Sequence, residues 1–277
     1  MTPYTQEVEL ARRLAREAGA IALKHRAAGV TAVEKPGGEG PVTAADRECD
    51  AHIRAALGAA FPSDGLLTEE TPDDGAWRTV ARVWMVDPLD GTKDYVQGGE
   101  EFAAMVGLCV DGLPVVGAVY RPLGDLLYWA AQGHGAFLEH AGVTTRLQCA
   151  RGVPAKPVVA VSKNHPSRKL DTLLAALGPL TALPSGSVGL KIGLIAQGKA
   201  SAYLNGSSKT CLWDSCAPQA ILLEAGGVIT DLYGTPITYA AGLNHPNGLF
   251  CATVDVHTAL KDNVAATARR VMSGGMA

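Results

Sequence analysis

The pattern of apolar residues changes near the middle of the chain, and this change restricts the fold more than any other feature of the sequence. Before about residue 145, two helix-like segments are followed by apolar runs, among them FAAMVGLCV and LPVVGAVY on either side of Asp111-Gly112. An Asp-Gly pair between two such runs predicts a β-hairpin. After residue 146, strand-like apolar runs alternate with segments of helical periodicity. This alternation predicts a sheet that is covered by helices.

The sequence therefore predicts an α+β fold with two units, residues 1–145 and 146–277. The first unit should contain helices and an antiparallel sheet, and no disordered linker separates it from the second. A first helix is expected from about Glu7 to Arg26, and a second helix should begin after Thr43 as its N-cap. Between them, AVEKPGGEGPV reads as a Gly-rich hairpin or flap in which Lys35 is the only cation.

Composition excludes several classes of partner. The formal charge is −3 and no basic, aromatic-rich patch is visible, so a nucleic-acid polymer is not an expected partner. No run of about 18 apolar residues is present and the N-terminal segment is charged throughout, so we expect a cytoplasmic protein with no membrane span. The six cysteines are scattered, which is typical of buried reduced thiols. Because the net charge is negative, an anionic substrate would need local cations or a metal ion.

Two acids follow the apolar run in VWMVDPLDGTKDYV. Pro88 favours an extended Asp87, so the strand is expected to end there, and a sharp turn would bring Asp90 back toward Asp87. Neighbouring carboxylates repel each other unless a cation lies between them. Carboxylate oxygens suit Mg²⁺, and the carbonyl of Leu89 is placed to join them. By itself, however, this spacing is also typical of a turn that carries two solvated acids.

Residues on either side of this pair extend the pattern. Gly91 and Thr92 would form an anion cradle with their backbone N–H groups if a helical turn begins there. Upstream, Glu69 ends the apolar run GLLTEE and is a further candidate for the same cluster. The sequence thus places possible metal ligands directly before possible phosphate ligands.

Two more acids lie at the starts of predicted helices, and each has a plain structural explanation. Asp214 stands at the entrance to an apolar helix that has Pro218 in its expected first turn, where the residue taken alone favours a plain N-cap role. Asp46 lies near the start of the second helix, where the helix dipole favours an acid. The residues alone therefore leave both Asp46 and Asp214 open.

Several motifs together resemble the inositol monophosphatase superfamily. They are VDPLDGTKDYV, the Glu pair about 18 residues upstream, and LWDSCAPQAILLEAGGVITD. The resemblance extends from PVTAAD to GGVITDLYG, and PSGSVGLKIGLIAQGKASAYL is most similar to the bacterial 3′(2′),5′-bisphosphate nucleotidase branch. It implies a layered α/β/α/β/α fold whose second sheet is mixed, and a lithium-sensitive phosphatase that depends on Mg²⁺.

The resemblance also implies a set of metal ligands and catalytic residues. Two or three Mg²⁺ ions are expected, with Asp87 shared between the first two. Asp46 and Thr92 would orient the attacking water, and Glu69 would contribute to catalysis as a metal ligand. The expected metal ligands are Glu69, Asp87, the carbonyl of Leu89, Asp90 and Asp214.

Expected substrate contacts rest on the same resemblance. Lys163 and His165 correspond to a family loop near the nucleotide, although a polar loop after a strand explains them equally well. Val188 stands where several nucleotidases have Ser, so Ser185 or Ser187 would have to supply that hydroxyl. The full expected set is Lys35, Asp90, Gly91, Thr92, Lys163, His165, Ser187, Lys191 and Asp214.

The activity implied by the resemblance is removal of the 3′-phosphate from adenosine 3′,5′-bisphosphate (PAP), which yields AMP and phosphate. The alternatives are an inositol-1-monophosphatase or sugar phosphatase of broad specificity, and a non-catalytic regulatory member of the fold. The expected partner is a small phosphorylated substrate, and the resemblance implies a homodimer.

Overall fold

The structure is a computed structural model that describes residues 3–35, 40–163, 168–240 and 242–273. In these ranges two β-sheets and the helices packed on them form five layers, as expected for the layered fold. The longer helices are α1 (Thr5–Ala28), α2 (Ala44–Ala60), α5 (Val188–Ala196), α6 (Leu212–Glu224) and α7 (Val254–Ser273); the shorter are α3 (Thr92–Val96) and α4 (Arg168–Ala175).

The first sheet has seven strands, and its neighbours are antiparallel except for its first pair. Its order follows the chain: β3 (Gly65–Thr68), β4 (Arg82–Asp90), β5 (Ala103–Val110), β6 (Leu113–Arg121), β7 (Leu126–Ala131), β8 (Gly135–His140) and β9 (Val143–Leu147). β5 and β6 form the hairpin expected around Asp111-Gly112. β3 and β4 are parallel, since a crossover joins them. A separate short hairpin pairs β1 (Ala32–Glu34) with β2 (Pro41–Thr43), as expected from the Gly-rich segment.

The second sheet is mixed, as the resemblance implied. β10 (Val158–Ser162) is parallel to β11 (Thr181–Ser185) and to β12 (Ala202–Asn205). β14 (Leu249–Thr253) is antiparallel to β12 and to β13 (Gly227–Thr230). The order in the sheet is β11-β10-β12-β14-β13.

The helices divide between the faces of the sheets. Helices α1 and α2 pack on one face of the first sheet, and α6 packs on the other. Helix α5 lies between α6 and the second sheet, whose far side is covered by α4 and α7. Because α5 and α6 join the two sheets, residues from both halves of the chain meet along these helices. The division at residues 145 and 146 stays a prediction.

Two glycines allow α6 to lie unusually close to the first sheet. A Cβ atom at Gly117 would lie 2.1 Å from the carbonyl oxygen of Ala217, and one at Gly107 would lie 2.7 Å from its nitrogen. Only a residue without a side chain fits at either position. This close approach fixes the start of α6, and with it Asp214, relative to the ends of the neighbouring strands.

The helix predictions are largely confirmed, with α1 two residues longer at each end than expected and Thr43 as the N-cap of α2. The prediction that Pro218 lies in the first turn of α6 is wrong, because the helix starts at Leu212 and Pro218 is its seventh residue. Within the described ranges, no helix combines the length and apolar character that a membrane span requires.

Candidate active site

The strand that carries Asp87 does not end there. β4 continues to Asp90, which pairs with Ala103 of β5, and the register shifts between Asp87 and Asp90. Pro88 has no N–H to donate, so an irregularity at this point keeps the pairing on both sides of it. The prediction that Asp87 ends the strand is therefore wrong, but the irregular segment still directs both acids to one end of the sheet.

Asp87 is buried and lies among other acids. Only 2% of the residue is exposed, and its Oδ1 accepts a hydrogen bond of 3.0 Å from the N–H of Leu89. Burial and the charges of Glu69 and Asp90 raise the pKa of Asp87 well above its usual value. Burial and the charges of Asp90 and Glu69 likewise raise the pKa of Asp214 well above its usual value, although the hydrogen bond from the N–H of Cys211 opposes this shift. These acids, from three separate parts of the chain, therefore lie close enough together to repel one another.

Asp214 is held by the first turn of α6. It is the third residue of the helix, and its Oδ2 accepts a hydrogen bond of 2.7 Å from the N–H of Cys211, the N-cap residue. The expected alternative, in which Asp214 itself is the N-cap, is therefore wrong. Because Pro218 lacks an N–H, the carbonyl of Asp214 also loses its usual helical donor.

Asp46 makes two sets of hydrogen bonds, one to Thr43 at the start of α2 and one to Thr92. Its Oδ2 accepts hydrogen bonds from the hydroxyl and N–H of Thr43, at 2.5 and 2.8 Å, and so completes the cap of α2. Its Oδ1 accepts from the hydroxyl of Thr92, at 3.1 Å. The same hydroxyl lies 3.0 Å from the carbonyl oxygen of Leu89. With its proton directed at these acceptors, the Thr92 oxygen keeps lone pairs to accept a hydrogen from water.

Helix α3 begins at Thr92, directly after Gly91. Gly91 has φ of 93°, and a Cβ atom there would lie 2.9 Å from the carbonyl oxygen of Glu101. Both constraints require glycine. The helical turn on which the expected anion cradle depended is thus present, while its contact with a phosphate stays a prediction.

Lys35 lies against the Glu pair. Its Nζ is 2.7 Å from Oε1 of Glu69 and 2.6 Å from Oε1 of Glu70. Burial opposes the charge on Lys35, but Glu69 and Glu70 together outweigh it, so the pKa of Lys35 lies above its usual value. Burial raises the pKa of Glu70 to about 7, against the hydrogen bond from Lys35. The shifts are compatible because Glu69 supplies the larger share of the negative charge.

Asp90 joins the first sheet to α5. Ser187, the N-cap of α5, is buried, accepts from the N–H of Leu190 at 3.2 Å, and donates its hydroxyl hydrogen to Oδ2 of Asp90. The N–H of Gly189 lies 3.3 Å from the same oxygen. The structure therefore brings Ser187 to Asp90, and its expected contact with substrate stays a prediction.

The two lysines expected to bind substrate lie in different surroundings. Lys191 is buried, with its Nζ 2.7 Å from the carbonyl oxygen of Gly186 and 5.1 Å from the ring centre of Tyr203. Burial lowers its pKa to about 8, and Asp90 is the first of several acids that oppose this shift. Lys163 is partly exposed and forms an ion pair with Glu101. His165 lies outside the described residues.

Two residues near the expected ligands, Glu101 and His245, were not predicted from the sequence to belong to the site. Glu101 accepts from the N–H of Gly186 at 3.2 Å as well as from Lys163. His245 is buried behind α6, where its Nε2 lies 2.6 Å from Oγ of Ser215. Such contacts join distant parts of the chain, and no local spacing indicates them.

The donor set fits a hard divalent cation. Glu69, Asp87, Asp90 and Asp214 offer carboxylate oxygens and Leu89 a carbonyl, which are the ligands that Mg²⁺ prefers. Burial and, after it, repulsion from the neighbouring carboxylates raise the pKa values of Asp87 and Asp214, and such a cation would cancel this repulsion. In the described part of the chain, no three acidic, His or Cys side chains are arranged as a finished metal site. The Lys35 ammonium group is bonded to Oε1 of Glu69, an oxygen that a metal would need.

Comparisons with known proteins find similarity along nearly the whole chain. The model of the inositol monophosphatase family matches residues 4–273. The 3′(2′),5′-bisphosphate nucleotidase CysQ of Salmonella typhimurium is 35% identical over 219 residues, which cover 78% of this chain and 86% of the relative. The CysQ of Escherichia coli K12 is 36% identical over 200 residues, covering 72% and 79%.

Solved structures show the same fold. CysQ from Bacteroides thetaiotaomicron superposes with a TM-score of 0.78 at 27% identity, over 91% of this chain and 99% of that one. An inositol monophosphatase from Thermotoga maritima gives 0.80 at 20% identity, over 96% and 100%. The second likeness concerns the fold alone.

Proposed function

The chain belongs to the inositol monophosphatase family of phosphoric monoester hydrolases, and we propose that it removes the 3′-phosphate from PAP in a Mg²⁺-dependent reaction. The observation that carries the proposal is the meeting of Glu69, Asp87, Asp90 and Asp214 beside the bonded pair Asp46–Thr92. The choice of substrate is supported by the nucleotidase names of the relatives that are 35–36% identical.

In this proposal the metal is held by the four carboxylates together with the carbonyl of Leu89. Mg²⁺ bound there would supply charge neutralisation at the phosphate and a lowered pKa for a nearby water. No side-chain nucleophile is required. The cleft's own contribution is to keep the acids in place: Asp214 through the N–H of Cys211, and Asp90 through Ser187 and Gly189.

Asp46 and Thr92 orient the attacking water. The Asp46 carboxylate, fixed by Thr43, accepts the Thr92 hydroxyl proton, so the Thr92 oxygen is directed to accept a hydrogen from water. Backbone N–H groups at Gly91 and Thr92 would then face the phosphate oxygens, where donors stabilise developing negative charge. Positioning and electrostatics therefore supply the catalysis that we propose.

The positions of Lys163 and Lys191 favour different classes of substrate. Lys163, at the edge of the cleft, is placed to leave Glu101 for a second phosphate. Lys191 instead points its ammonium group to the carbonyl of Gly186, away from solvent. This burial favours a second candidate function, hydrolysis of a substrate with one phosphate such as inositol 1-phosphate.

A phosphate-release assay with PAP, inositol 1-phosphate and fructose 1,6-bisphosphate tests the proposal. We expect the largest kcat/KM with PAP, and a matched variant, Lys163→Met, should reduce kcat/KM for PAP more than for inositol 1-phosphate. A large preference for inositol 1-phosphate would overturn the nucleotidase proposal in favour of the second candidate.

A further inference from the structure

A second cleft lies at the opposite end of α5 and β10 from the candidate active site. Its volume of about 370 Å³ is within the range of small-molecule sites, roughly 300–1,000 Å³. The nine residues of α5 and the five of β10 place it roughly 14–16 Å from Ser187 and Lys163. The lining residues that bear on binding are Arg151, Val153, Pro154, Lys156, Lys199 and Thr253.

Positive charge dominates the cleft. Arg151, Lys156 and Lys199 are exposed, and none of them has a carboxylate partner among the described residues. Asp255 contributes a carboxylate at the rim, where one of its oxygens accepts the N–H of Gly152. Three cations against this acid leave a net positive charge, which favours an anion.

Helix α7 adds to this preference, because it begins at Val254 and its first N–H groups lie beside the cleft. The N-terminus of a long helix attracts negative charge. The C-terminus of α5 does not cancel the effect, since its carbonyls at 193–195 accept the N–H groups of residues 197–200.

Thr253 supplies the independent indication of a ligand. It precedes α7, lines the cleft, and is only 2% exposed. A Thr at this position normally caps the helix by accepting a backbone N–H. In the described part of the chain, however, the buried hydroxyl of Thr253 has no hydrogen-bond partner. Buried hydroxyl groups in folded proteins are almost always bonded, so an unpartnered one in a cleft wall indicates a missing donor or acceptor.

We propose that this cleft binds a small phosphorylated molecule. Its phosphate is held by Arg151 and Lys199, and the Thr253 side chain turns its buried hydroxyl toward the cleft to donate to one of the three strong acceptor oxygens. Its uncharged part lies on the apolar wall at Val153, which is 52% exposed, and Pro154. Binding here requires neither the metal nor the activity proposed above, since no ligand of the active site lines the cleft.

Isothermal titration of the full chain in EDTA tests the site with inorganic phosphate, with AMP, and with anionic phosphatidylglycerol vesicles as separate probes. We expect AMP to bind without metal, and more tightly than phosphate because it also covers the apolar wall. The double variant Arg151→Ala/Lys199→Ala should weaken AMP binding at least tenfold. Lys261→Ala, on the exposed side of the same helix, is the matched control and should change it less than twofold.

Thr253→Val provides a second readout that does not depend on surface charge. It should weaken AMP binding about fivefold and raise the Tm of the ligand-free protein, because it removes a buried hydroxyl without a partner. Equal AMP affinity in all variants would overturn the proposal. So would binding of vesicles but not of AMP, or a lower ligand-free Tm in Thr253→Val. An active-site variant, Asp214→Asn, should keep metal-free AMP binding, which separates this site from the proposed activity.

Discussion

Replacing Lys35 with Met should increase the affinity of the protein for Mg²⁺ while reducing catalysis. The Lys35 ammonium group is 2.7 Å from Glu69, which we propose as a metal ligand. Mg²⁺ therefore has to displace Lys35 from this oxygen before Glu69 can coordinate it. Since Lys35 is also one of the expected substrate contacts, kcat/KM should fall in the variant. Opposite changes in the two quantities are not explained by loss of folded protein.

The size of the effect follows from the contact that must break. A hydrogen bond to a charged group contributes about 1.5–3 kcal/mol, and the pair is largely shielded because the two side chains are 12% and 26% exposed. At 1.4 kcal/mol per factor of ten, removing this competition should lower the Kd of Mg²⁺ by roughly 10- to 150-fold.

Isothermal titration of metal-free protein with Mg²⁺ at pH 7.5 measures this change directly. Lys24→Met is the control, because Lys24 is 76% exposed and 3.7 Å from its partner Glu48, and its effect should be less than twofold. An unchanged or weaker Mg²⁺ affinity in Lys35→Met would refute the reasoning that the ammonium group competes with the metal.

Three further perturbations test other parts of the site. Thr43→Ala should reduce stability by about 1 kcal/mol and the Tm by about 2 °C, because it removes the cap of α2. It should also reduce kcat at least tenfold, because Oδ2 of Asp46 loses the hydroxyl that holds it, whereas Thr43→Ser should keep both the Tm and kcat. A lower Tm with unchanged kcat would separate Asp46 from catalysis. In EDTA, the stability of Glu70→Gln relative to the native chain should increase as pH rises from 4.5 to 7. The pKa of Glu70 is raised in the folded state, so the native chain loses stability over this range, and the variant does not. A constant difference in Tm across this range would contradict the raised pKa. Asp214→Asn should reduce kcat by about 10²–10³-fold. It should also raise the Tm of the metal-free protein at pH 8, because it removes the repulsion between Asp214 and the neighbouring acids. A lower Tm under these conditions would show that the acids do not repel one another.

Most of the fold could be predicted from local patterns, and the parts that could not have identifiable causes. Strand β9 was missed because four of its five residues are exposed, so it has no alternation of apolar and polar residues. Strand β11 was missed at the edge of the second sheet, where Pro184 argues against a strand. The end of β4 was predicted wrongly for a similar reason, because Pro88 indicates a strand end but the sheet accommodates it by a shift in register.

The candidate site shows the same division between local and distant information. Asp46 could be placed at the start of α2 from its spacing to Thr43, and the structure adds its bond to Thr92, 46 residues away. The contact of Lys35 with Glu69 spans 34 residues, and that of Ser187 with Asp90 spans 97. Residue spacing indicates which side chains share a helix face or a strand end, but only the packing of α5 and α6 between the sheets decides which ends meet.

Anomalous diffraction from crystals soaked in Mn²⁺, as a substitute for Mg²⁺, tests the central claim most directly. We predict at least one peak within coordination distance of carboxylate oxygens from both Asp87 and Asp90, with the Lys35 ammonium group moved away from Glu69. A map with no peak among these oxygens at saturating Mn²⁺, and with Lys35 still bonded to Glu69, would contradict the account.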